Sequence, residues 1–186
     1  MMRDTAGYGV GTIRGEADVD DDTQIAAAQR VHEKARHLRG RFLNSVAVIE
    51  RDIALILTDY FCTSDPAKRE LFFRYVVTSR GFALSAKKEA LVAIVKRDYA
   101  RYWDKQKKIL RTLDEIMTFR NKLAHSVVDV SHQALARPID EGIGFVDWNG
   151  GTPITDKEFQ DWVVKTNMVS GCLKEIKNLL PFKEHR

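Results

Sequence analysis

Between residues 22 and 61 apolar side chains recur at alternating steps of three and four. Val31, Ala35, Leu38, Phe42, Val46, Ile49, Ile53, Ile56 and Tyr60 fall on one stripe of a long helix, with Gly40 as the only expected break. Asp65-Pro66 reads as an N-cap followed by proline at the first helical position, opening a short helix with Leu71, Phe72, Tyr75 and Val76 on its inner face and Ser79-Arg80-Gly81 at its end. A third helix is expected from about Ser85 to Arg97 around Ala90, Leu91 and Ile94. It bends or continues into a fourth, from about Tyr99 to His125, whose Tyr102, Ile109, Leu113, Ile116, Met117, Leu123 and Ala124 share one apolar arc. The period then changes. Ser126 to Val130 and Ile143 to Trp148 read as short extended segments, followed by a turn at Asn149-Gly150-Gly151. Thr155 and Glu158 have capping-box spacing, and the helix they open carries Phe159, Trp162, Val163, Val169, Leu173, Ile176 and Leu180 before Pro181. The pattern predicts an all-α fold: a bundle of about five helices with a small β-hairpin-like insertion before the last one.

Residues 1–21, with four glycines and an acidic run, read as a flexible leader; 22–182 form a single helical domain and 183–186 a tail. A chain of 186 residues, 44% hydrophobic, suffices for one substantial core. A net charge of +4 permits nucleic-acid binding without requiring it. The two cysteines, Cys62 and Cys172, are isolated from each other and from any Cys/His cluster, so neither a metal site nor a cofactor is expected. No signal-like apolar region and no membrane span is legible, and a cytoplasmic location is the expectation.

The candidate chemistry lies at the end of the fourth helix, in Arg120-Asn121-Lys122-Leu123-Ala124-His125. Arg120 falls near the centre of the apolar arc, where a permanently charged guanidinium needs an ion pair or an anion as its reason. His125, five residues on, is turned by about 140° and displaced by about 7.5 Å along the axis. One straight helix does not aim both at a single phosphate, so either the helix distorts or the same pair from a second copy of the chain completes the site about a two-fold axis. Histidine titrates near neutral pH and can move a proton; arginine can hold a phosphate and its transition-state charge. Together they suffice to cut RNA without a metal, because the strand supplies its own 2′-hydroxyl nucleophile. Arginine–histidine pairs at short spacing arise easily, as Arg30 and His37, seven residues apart, illustrate; the helix end and the following Asn121, one turn before His125, single out this pair. The other reading is structural, with Arg120 in a carboxylate pair and His125 favouring the negative helix end. The basic run Arg101, Lys105, Lys107, Lys108 and Arg111 reads as a solvated face or an RNA contact, and the tryptophans Trp103, Trp148 and Trp162 as core or interface.

Arg120-Asn121-x-x-x-His125 resembles the motif of the HEPN superfamily, helical bundles marked by an arginine, often followed by asparagine, and a histidine four to six residues on. The likeness extends more loosely over residues 25–180, through the helix order and Ile49-Glu50-Arg51-Asp52-Ile53 on the first long helix. It implies a metal-independent endoribonuclease, a homodimer whose paired motifs form one cleft, and service in toxin–antitoxin or antiviral defence with an antitoxin or defence-system partner. Arg120 and His125 are then the catalytic pair, with Asn121, Glu50 and Lys122 supporting it or binding substrate. Val127 stands where one toxin subgroup carries a tyrosine, so nucleotidylation of that tyrosine is not expected. The alternative is a non-catalytic helical module of the same kind that binds RNA, nucleotide or a partner protein.

Overall fold

A computed structural model describes residues 21–62, 65–146 and 153–180. It is an all-α bundle with a small antiparallel sheet set before the last helix. The proposed leader, apart from Asp21, lies outside the described residues, as do Trp148, the Asn149-Gly150-Gly151 turn and the tail.

Helix α1 (Asp21–Phe61) runs unbroken for 41 residues, straight through Gly40. Its stripe is buried at Ala35, Phe42, Val46, Ile49, Ile53 and Ile56. Helix α2 (Pro66–Leu71) starts as expected, with the Asp65 carboxylate accepting from the backbone N–H groups of Ala67 and Lys68. It then widens into a π-helical segment, Phe72–Val77. That widening shifts the register of the inner face. Leu71, Tyr75 and Val76, expected inside, are exposed, Phe72 is half-buried, and Val77 is the residue that enters the core.

Helix α3 (Leu84–Asp98) and helix α4 (Ala100–His125) are separated by Tyr99, which leaves the helical conformation. A cluster of Tyr60, Arg97 and Asp98 ties the end of α3 to the end of α1. Arg39 of α1 meets Ser126, just past α4, so α4 runs back along α1. Helix α6 (Asp156–Leu179) opens with the anticipated capping box, Thr155 and Glu158 each bonding the other's backbone N–H. The Tyr102 hydroxyl lies 3.0 Å from the Cys172 carbonyl oxygen and 2.9 Å from Glu175, which locks α4 to α6. Burial and these bonds push the Tyr102 phenol well above its usual range, holding it as a neutral donor.

Between α4 and α6 the chain forms β1 (Val127–Val128), a four-residue helix α5 (His132–Leu135), β2 (Ile143–Val146) and β3 (Pro153–Ile154). The strand order is β1-β2-β3, with Val127 opposite Val146 and Ile143 opposite Ile154. Ile143, Phe145 and Ile154 close the core. Two glycines make this possible. Gly142 has φ +131°, and a Cβ there would stand 2.8 Å from the Ile154 carbonyl oxygen; at Gly144 a Cβ would meet the Asp129 Cβ at 2.7 Å. Gly142→Ala is therefore expected to destabilise the fold by about 2–3 kcal/mol. Urea unfolding checks this, and a change below about 0.5 kcal/mol would mean the hairpin is not held as described.

No helix among the described residues is long and apolar enough to cross a membrane.

Candidate functional site at the end of helix α4

Helix α4 buries Leu110, Leu113, Ile116, Phe119 and Leu123. Three-residue steps turn the buried line by about 60° each time, so the seam winds around the helix instead of staying on one arc. Near the C-terminus it has rotated toward Phe119 and Leu123. Arg120 stands about 100° from Phe119 and about 60° from Leu123. It is exposed, not core-facing as the mean arc suggested. Ala124 is exposed as well. His125 lies about 160° from Leu123 and is exposed on the far side.

The backbone under these side chains is firmly closed. Helical geometry continues to His125, so the distortion that would aim Arg120 and His125 at one point within one chain does not occur. Ser126, buried, donates from both its backbone N–H (3.0 Å) and its hydroxyl to the Lys122 carbonyl. Its own carbonyl accepts from Arg39 Nη2 at 2.9 Å. One carbonyl of the last turn of α4, that of Lys122, and the first carbonyl beyond the helix, that of Ser126, thereby have partners.

The candidate residues are brought together only in part. Arg120 Nη1 donates to Asn121 Oδ1 at 3.0 Å, so the asparagine turns toward the arginine. Lys122 is half-buried and makes no ion pair among the described residues. Glu50 stands eleven residues beyond Arg39 along α1, about 16 Å at 1.5 Å per residue. There its carboxylate pairs with the buried Nζ of Lys87. Removing it leaves Lys87 without its partner. Glu50→Gln is expected to lower stability by about 1–2 kcal/mol, less than for a fully buried pair because Glu50 is itself partly exposed. Any RNA cleavage per folded molecule is expected to be unchanged; thermal melting and a cleavage assay on the same preparation check both.

Arg39 is the residue near this end that sequence reasoning missed. Its position adjacent to the apolar stripe of α1 was the available signal. The basic run from Arg101 to Arg111 lies in the other half of α4, with Arg111 about 21 Å from His125 along the axis. Trp162 stacks on Phe119 (centroids 4.3 Å apart, 8° between planes) and carries the Lys165 ammonium 4.2 Å from its ring centre. Its ring faces are thus occupied by the protein, as expected of a core residue and not of a base-stacking platform. Among the described residues no cluster of three or more histidine, cysteine, aspartate or glutamate side chains is placed to hold a metal.

No family model matches the chain, and neither the curated proteins nor the solved structures contain a significant match.

Proposed function

We propose that this protein is a metal-independent endoribonuclease of the HEPN type, acting as a homodimer through Arg120 and His125. The observation that supports the reading best is the contrast at the end of α4: a buried, hydrogen-bonded Ser126, with His125 directly before it and Arg120 in the preceding turns both left in solvent. Val127, two residues beyond His125, is 69% exposed although apolar, which suits a face covered by a second copy. Because Arg120 and His125 diverge by about 140°, the two-fold arrangement is the one that completes a cleft.

In such a cleft one His125 imidazole accepts the proton of the 2′-hydroxyl as that oxygen bonds to phosphorus. The P–O5′ bond breaks, and the leaving oxygen takes a proton from the second copy's histidine or from water. Arg120 holds the non-bridging oxygens as charge accumulates on them. The products are a 2′,3′-cyclic phosphate and a 5′-hydroxyl. Toxin–antitoxin or antiviral service with an antitoxin-like partner, in the cytoplasm, is part of this reading through the resemblance of Arg120-Asn121-x-x-x-His125 alone.

The same divergence favours a second reading, a non-catalytic module that binds RNA, nucleotide or a protein, should the chain be monomeric. Sedimentation together with incubation of labelled single-stranded RNA in EDTA separates the two. A dimer that leaves cyclic-phosphate ends supports the enzyme; a monomer that binds without cutting supports the module.

A further inference from the structure

We infer that Arg39 is a positioning residue for His125, fixing the end of α4 from across the bundle. This rests on the ribonuclease reading of the Arg120 and His125 site. The Arg39 guanidinium reaches from the middle of α1 to donate to the Ser126 carbonyl at 2.9 Å and lies over the Phe145 ring, 5.1 Å from its centre. It therefore joins three places at one point: α1, the residue that caps the end of α4 and strand β2. Ser126 is the residue next to His125, and its remaining backbone and hydroxyl donors return to Lys122. The imidazole is thus carried on a backbone held from both sides, from within α4 and from α1.

A purely space-filling role fits these contacts poorly. Arg39 Nε is buried and finds no partner among the described residues, a cost that an apolar side chain of similar length would avoid. The guanidinium does two things at once that methionine cannot: it donates to a carbonyl and sets its charge over an aromatic face. A positive charge at the C-terminal end of α4 also complements the partial negative charge gathered there. Misplacing a proton-transfer group by about 1 Å is enough to slow a reaction severely without changing how substrate binds, so the effect of Arg39 belongs in turnover.

The test compares wild type, Arg39→Ala and Arg39→Lys as full-length protein. It measures steady-state cleavage of a labelled single-stranded RNA in EDTA and amide hydrogen exchange at Val127 and Val128, at a temperature where circular dichroism shows each variant folded. Arg39→Ala is expected to lower kcat about tenfold with KM within about twofold and to raise exchange at both amides. Arg39→Lys, which keeps a donor and the charge, is expected to lose only about threefold in kcat, and it carries the test if the alanine variant does not fold. Cleaving wild type with variants at its kcat and its exchange rate overturns the inference alone. So does a rise in KM at constant kcat, which would make Arg39 a substrate contact. A wild type that cleaves no RNA overturns the ribonuclease reading, and this inference with it.

Discussion

On the proposed ribonuclease reading, replacing His125 by alanine is expected to reduce metal-free RNA cleavage by about 10²–10⁴-fold, the range that a positioned proton-transfer group contributes. The melting temperature should stay almost unchanged, because the imidazole is exposed at the end of its helix and lies outside the buried core. Arg120→Ala is expected to cost about 10²–10³-fold, in line with removal of a group that stabilises transition-state charge. Arg120→Lys should restore little of it, since a lysine ammonium lacks the planar fork that holds two phosphate oxygens. Single-turnover cleavage in EDTA, with matched sedimentation of all variants, makes the comparison. If His125→Ala cuts within about threefold of wild type, the histidine has no part in proton transfer and the catalytic assignment fails. A loss of dimerisation accompanying a loss of activity would instead assign His125 to the interface.

How much of this was legible in the sequence depends on how local each feature is. The extents of α1, α3, α4 and α6 follow from apolar periodicity and cap chemistry, which act within a few residues, and the Thr155–Glu158 box formed as spaced. The inner face of α2 departs from the periodic expectation, because a π turn changes the angle per residue and no sequence signal in Phe72–Val77 announces it. The apolar pattern puts Arg120 on the core arc because a mean direction over the 26 residues of α4 hides a seam that rotates in three-residue steps. The Glu50–Lys87 and Arg39–Ser126 contacts join residues 37 and 87 positions apart, and nothing local encodes them. The order Arg120-Asn121-x-x-x-His125 is a feature of the sequence itself; which residues pack beneath it is a matter of tertiary structure.

The same tertiary packing sets the largest expected stability effect. Phe42, 1% exposed, places its ring 4.9 Å from Phe119 and 6.1 Å from Trp162, edge-on to both. Three helices, α1, α4 and α6, thus meet on one side chain, and Phe119 is the residue immediately before Arg120. Phe42→Ala removes the ring from a site walled by rigid aromatics that cannot collapse into the void, so it is expected to cost about 3–5 kcal/mol. Against a total of about 5–15 kcal/mol for a domain, that is a large fraction, equivalent to a fall of about 10 °C or more in Tm. Phe42→Leu keeps most of the volume and is expected to lose less than half as much. Urea unfolding of both variants, with the slope compared to confirm that the denatured state is unchanged, measures the difference. A cost below about 1 kcal/mol for the alanine variant would mean that the three helices are not joined through this cluster. The rigid support inferred for the Arg120 end of α4 would then have to come from Ser126 and Arg39 alone.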